Sequence, residues 1–368
     1  MRKALYLLAS LSWLLTQQLA QAQAQTSEAP ATGLANPQTA AEEAFFTNEK
    51  ELRFTLHLPL DELLKDKGRK PVLHNAALQY QDAVGATRMV PVQVKLRGHR
   101  RQDPAVCQFP PLLIHFPDNG AHPSMFGKMA DLKLTTHCRA DNYVLREYLV
   151  YKLYNALTDM SFRVRLCLVT YQDMNSRQKA TVHQAFLLEE ASAMAQRNKA
   201  TIVPKPLIIG MQYTHQESMA MLTLFQYMIG NTDWSVPYRH NIRLLKADGY
   251  AAPVPVPYDF DYAGLVMAPY AEPPQQLGIT SVRQRLFRGY NFTEELYTKM
   301  RALFNERRAA LYNVYLSCEY LNRDEKAFAT QFLDEFYDTL NDPKEFERSI
   351  VRVGRRNEKQ YISIKGYD

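Results

Sequence analysis

Hydrophobic and polar residues alternate with a period of two over 51–60 (ELRFTLHLPL) and 89–98 (MVPVQVKLRG), which predicts two half-buried strands. A turn-prone DAVGA precedes the second of them. The stretches 109–116 (FPPLLIHF) and 131–137 (DLKLTTH) read as further short strands. From Asn142 to Leu157 the period changes. Val144, Leu145, Tyr148, Leu149, Tyr151, Leu153 and Tyr154 recur at helical spacing, and Asp141 or Asn142 can cap the start. Strands follow at 161–173 and 183–190, and then the pattern turns helical. An apolar helix over 217–230 is closed by Gly230; after a loop come the strand 241–248, the proline-studded stretch 251–265, and helical periodicity from 293 to 341. The expectation is an α+β chain with a strand-rich lobe over 49–200, a helical lobe over 201–345 and a C-terminal tail over 346–368, whose end is a terminal strand or tail. No internal repeat is visible.

The N-terminus adds a different signal. Arg2 and Lys3 precede a mostly apolar run, Leu5 to Leu15, followed by small residues at Ala20, Ala22 and Ala24. Charge, short apolar run and small residues in that order predict a cleavable signal peptide over 1–24 and a periplasmic or secreted protein. About 20 apolar residues are needed to span a bilayer, so a transmembrane segment is not expected. Residues 25–48 are then a flexible leader, because 25–44 are small, polar and proline-containing.

Four cysteines are present, none in a CxxC pair, so a zinc-ribbon spacing is excluded. In an oxidising compartment Cys107 and Cys138, which flank strand-like segments, are the expected disulfide, and Cys167 in RLCLV is a buried thiol. The net charge is +6, with basic and acidic residues interleaved, and no basic-aromatic stripe points to nucleic acid. The histidines, among them His99, His137, His215 and His240, are scattered without HExxH or paired spacing, which argues against a zinc enzyme. Ser192 and Ser218 lack a GxSxG elbow. Asn291-Phe-Thr matches a glycosylation sequon, and Glu189–Glu190 sit where a hinge could lie.

The chemistry-bearing stretch is 230–265, GNTDWSVPYRHNIRLLKADGYAAPVPVPYDFDYAGL. Asn231, Asp233, His240 and Asn241 follow a helix in one loop, and Asp259 and Asp261 follow a predicted strand pair. Phosphoryl transfer asks for such groups: a carboxylate to orient or deprotonate the acceptor, and hard oxygens to hold Mg²⁺ on the phosphates. Each is also an ordinary loop-forming residue.

GNTDW...HN followed by PYDFD resembles the atypical kinase-like proteins of the CotH type, and more distantly HipA-like and eukaryotic protein kinases. KLRGHRR...FPPLLIHF, DLKLTTHC, the REYLVYKLYNAL helix and the VRLCLVTYQD strand extend the resemblance over about 90–265. The resemblance implies a two-lobe protein-kinase-like fold using ATP and Mg²⁺. It makes Asp233 the catalytic-loop aspartate, Asn241 a Mg²⁺ ligand, and Asp259, or alternatively Asp261, the second metal ligand. Lys133 becomes the phosphate-anchoring lysine with Glu147 as its ion-pair partner, and Arg97 a second phosphate contact. The acceptor would be a protein or another envelope component. Two departures stand out. Asn241 lies eight positions after Asp233, wider than the ordinary kinase loop, and no GxGxxG occurs; His99, Arg100 and Arg101 follow Gly98 where such a loop would lie. They keep a competing class open, a non-catalytic cell-envelope interaction protein. A carbohydrate-acting pair, Asp233 with Asp259, would need a separation of roughly 5–10 Å.

Overall fold

A computed structural model describes residues 37–117, 124–127, 129–175 and 177–360. The expected signal peptide lies outside them. The stretch expected to be a flexible leader is helical from Pro37: α1 (Pro37–Thr47) is built from PQTAAEEAFFT, rich in the helix formers Ala and Glu. Phe45 and Phe46 at its end are buried, and that burial supplies the ordering which the polar residues before them do not.

Seven strands close into a barrel in the order β1-β2-β3-β4-β5-β7-β6. They are β1 (Leu52–Leu58), β2 (His74–Gln81), β3 (Thr87–Leu96), β4 (Leu112–His115), β5 (Asp131–Thr135), β6 (Val164–Asp173) and β7 (Thr181–Leu188). The short helix α2 (Leu60–Lys65) follows β1. Neighbours pair antiparallel except β1 and β6, whose parallel register (Leu52 opposite Cys167, Leu58 opposite Asp173) seals the barrel and leaves no free edge. Strand β2 is the one the sequence pattern did not mark. Phe54, Leu56, Leu78, Val92, Val94, Ile114, Leu134, Val169 and Leu187 fill the interior from alternate positions. Cys167 faces that interior as a free thiol whose burial pushes its pKa up. The start of β6 and the end of β7 are buried on both faces, because Val164, Leu166, Phe186 and Leu188 pack outward against the helical core.

That second core is helical. α3 (Asp141–Asn155) lies between β5 and β6; α4 (Ala191–Arg197) follows β7. α5 (Gln216–Met228) is buried along most of its length. α6 (Glu294–Leu316) and α7 (Arg323–Asn341) pack together, and α7 starts in a capping box between Asn322 and Glu325. A small antiparallel sheet, β8 (Ala200–Ile202), β9 (Ile242–Ala247) and β10 (Val254–Pro257), sits in this half in the order β10-β9-β8. The chain is thus α+β, with strands gathered in its N-terminal region and helices in its C-terminal region. The sequence expectation of a terminal strand or tail gives way to helix: α8 (Pro343–Phe346), a π turn (Glu347–Val351) and α9 (Arg352–Lys359), anchored by buried Phe346, Ile350 and Val351.

Cys107 and Cys138 form the expected disulfide, 31 positions apart. Crosslinking a loop of that size should stabilise the fold by about 3.7 kcal/mol in the chain-entropy picture. Urea unfolding of Cys107→Ala/Cys138→Ala beside the oxidised chain checks this; equal midpoints would contradict it.

Candidate active site

Helix α5 ends at Ile229, and Gly230 turns out of it with φ +67°, a conformation other residues resist. The turn delivers a buried loop. Asn231 Oδ1 accepts from the Asp233 amide at 3.0 Å, and Arg288 donates to the carbonyls of Thr232 and Trp234, with Trp234 fully buried. Ser235 and His240 then exchange two backbone hydrogen bonds, at 2.9 and 3.0 Å. The intervening Val236–Arg239 is thereby looped out, and the chain returns to Asp233 in spite of the wide sequence spacing. Asn241 donates through Nδ2 to the Asp233 carbonyl oxygen (2.9 Å) and to Oδ2 (3.0 Å), while His240 Nε2 meets Oδ1 at 2.8 Å. Both carboxylate oxygens of Asp233 are therefore held, and the carboxylate is 6% exposed. Burial pulls the His240 pKa down, but the Asp233 carboxylate outweighs it, and the net shift is upward.

The β9–β10 hairpin brings the second half of the stretch alongside. Ile242 pairs with Pro257, and the Tyr258 amide extends the ladder to the Asn241 carbonyl at 3.0 Å. Asp259 is the next residue. Asn241 and Asp259 both take positive φ, +52° and +61°, which Asn and Asp tolerate better than most. Arg239 shares this conformation, so three of the six such non-glycine positions among the described residues lie here. From the other side α3 presents Glu147 and Tyr151, one turn apart on one face; Tyr151 Oη accepts from the Asp259 amide at 2.8 Å.

Arg101 fills the centre. It lies in a single 3₁₀ turn (Arg100–Gln102) after β3, and its guanidinium reaches Glu147 (3.1 Å), Asp259 (2.8 Å) and Asp261 (2.9 Å). Tyr270 also donates to Asp261, at 3.1 Å. One cation cannot neutralise three carboxylates in a dry site. Burial disfavours every charge there, yet the acidic partners hold Arg101 cationic. Burial, opposed by Arg101, drives the surplus onto protons: Asp261 is pushed up to about 6 and Glu147 to about 8. The Asp259 side chain is 47% exposed.

The expected pairing of Lys133 with Glu147 does not occur. Lys133 faces outward from β5 and pairs with Glu190 at 2.9 Å, just beyond β7, while Arg101 takes Glu147. The physical reason is register: Lys133 lies opposite Leu188, two residues from Glu190, whereas Glu147 is buried on α3. Neighbouring Glu189 is held bidentately by Arg197. Arg97 is half-buried, within reach of the charges of Asp259 and Glu190; burial lowers its pKa and Asp259 opposes that. The structure therefore brings Asp233, Asn241, Asp259, Asp261, Glu147 and Arg97 into one neighbourhood, with Lys133 on β5 paired to Glu190. Sequence reasoning missed Arg101. Its only signal was the basic run GHRR, and nothing local says that the third basic residue of that run turns inward.

No protein-family model matches this chain, and no curated protein matches it. Solved structures similar to it include two. One is HipA of Shewanella oneidensis MR-1, from a toxin–antitoxin complex with HipB and operator DNA: 12% identity, 62% of this chain and 62% of that one, TM-score 0.35. The other is the Helicobacter pylori proinflammatory kinase CtkA: 10% identity, 78% of this chain and 93% of that one, TM-score 0.33. The likeness to HipA thus spans less than two thirds of that protein.

Proposed function

We propose that this chain is an exported phosphotransferase that moves a phosphoryl group from Mg²⁺-bound ATP to a protein or another extracytoplasmic acceptor. The observation that carries the reading is the pinning of Asn241 onto Asp233, with the hairpin setting Asp259 beside them. Asn241 spends its Nδ2 on Asp233, which leaves Oδ1 free of that contact, and Asp259 offers a half-exposed carboxylate. Two hard oxygen donors of this kind fit Mg²⁺. Asn241 and Asp259 would hold the ion, which when bound offsets charge on the transferring phosphate. Asp233 would orient the acceptor hydroxyl and take its proton, and Arg97 would meet phosphate oxygens from just beyond β3. Asp261 is tied by both Arg101 and Tyr270, so Asp259 is the better second ligand.

One observation favours a second reading, a non-catalytic envelope interaction protein. Arg101 already satisfies Asp259 and Asp261 as a fixed cation would, and Lys133 is engaged by Glu190. Calorimetry with ATP and Mg²⁺ on the wild-type chain and on Asp259→Ala separates the two. Binding that requires both Mg²⁺ and Asp259 supports phosphotransfer. No heat at millimolar ATP sinks it and leaves the interaction protein.

A further inference from the structure

We propose that His137, Asp141 and His183 form a binding site for a borderline divalent transition ion, zinc first, where the inner side of β7 meets the start of α3. Their ligand atoms all lie within 4.8 Å of one another. Adjacent ligands of a tetrahedral zinc ion stand roughly 3.4 Å apart, given Zn–N and Zn–O bonds of about 2.0–2.2 Å, so the cluster needs only a small contraction. His183 Nδ1 and Asp141 Oδ1 are already 2.9 Å apart. The His137 ring is stacked on that of His183, 13° from parallel with centroids 3.6 Å apart, so ligation by both requires one imidazole to swing out of the stack.

Two polar atoms mark the place as incomplete. His137 Nδ1 is buried with no hydrogen-bond partner among the described residues, and so is the hydroxyl of Tyr171, whose ring lies 5.8 Å from His137 and 6.3 Å from His183. Buried polar groups are rarely left so. Four His–carboxylate pairs occur among the described residues: His74–Asp66, His115–Asp131, His183–Asp141 and His240–Asp233. Stacking of a second imidazole distinguishes the His183 pair.

Two imidazoles and one carboxylate, with water completing the shell, suit zinc, copper or nickel better than magnesium or calcium. The three residues belong to different elements. His137 follows β5 and adjoins the disulfide residue Cys138; Asp141 opens α3; His183 belongs to β7. A bound ion would therefore pin the start of the helix that carries Glu147 and Tyr151 to the barrel wall.

The full chain, stripped with chelator and returned to pH 7.5, would be titrated with zinc chloride against a competing chromophoric chelator. One ion per chain is expected, with affinity falling by about 100-fold or more in His183→Gln and in His137→Gln, since losing even an outer-shell partner of a ligand costs about 10–100-fold. Because the chain has nine histidines, His115→Gln serves as the control and should bind as the wild type does. X-ray absorption on the cobalt-loaded wild type needs no variant and should report two imidazoles. Sub-stoichiometric binding, binding unchanged in both variants, or a cobalt shell without two imidazoles would each overturn the site.

Discussion

Replacing Arg101 with leucine should destabilise the fold by about 3–5 kcal/mol at pH 8, the usual cost of removing one partner from a buried ion pair. Leucine preserves much of the apolar stem and leaves Glu147, Asp259 and Asp261 without their shared cation. The loss should shrink on acidification, and the sign follows from proton counting. The folded-state pKa values of Asp261 and Glu147 are raised, to about 6 and about 8, by burial. Above about pH 4.5 the unfolded chain has released protons that the folded chain still holds. Stability contributed by these two groups therefore falls as pH rises through the window from about 4.5 to 8, already in the wild type. Without Arg101 the raising is larger and the fall steeper. Urea unfolding of both proteins at pH 5 and pH 8 measures it. A difference below about 1 kcal/mol at pH 8, the range of an ordinary surface pair, or the same difference at both pH values, would show that Arg101 does not balance this cluster.

Arg101 also shows where sequence reading stops. Elements whose pattern is local were legible: the run 217–230 predicts α5 (Gln216–Met228), and the period change at Asn142 predicts α3 (Asp141–Asn155). The disulfide was legible from the even cysteine count and the expected export, with Cys107 and Cys138 flanking strand-like segments. β2 was not. His74–Gln81 alternates only weakly, with Asn, Gln and Ala among its positions, and it gains its order from pairing with β1 and β3. Barrel closure through the parallel β1–β6 pair is a contact between distant segments, on which neither strand's own period bears. At the site, the order Asp233, Asn241, Asp259 is written in the chain. That Val236–Arg239 loops out and restores their proximity depends on the Ser235–His240 bridge, which residue types do not announce. Partner choice was least legible. Lys133 with Glu190 and Arg101 with Glu147 are both ordinary lysine or arginine pairings with glutamate, and only barrel register decides between them and the reverse.

Asp233→Asn should lower phosphoryl transfer by about 10²–10⁴-fold, the span that a positioned general base supplies, while Mg²⁺-dependent ATP binding persists. The asparagine retains the volume, and its amide can still face His240 on one side and Asn241 on the other, so the loop keeps its hydrogen bonds. Labelled-phosphate transfer from γ-labelled ATP, with calorimetry on the same preparation, reads both quantities; equal rates in the two proteins would remove Asp233 from the chemistry. The pH profile tests the role more sharply. His240 has a folded-state pKa above its ordinary 6.5, because Asp233 outweighs burial. Its pair with Asp233 contributes full stability below about pH 6.5 and loses it as pH rises through the folded value. Below that value the imidazolium holds the Asp233 carboxylate as an ion pair. Above it a neutral ring leaves the carboxylate free to accept a proton. Transfer should therefore rise with pH through a pKa above 6.5, and His240→Gln, which keeps a donor without a titrating charge, should erase that limb. A profile unchanged in His240→Gln would mean that His240 braces the loop and does not tune the base.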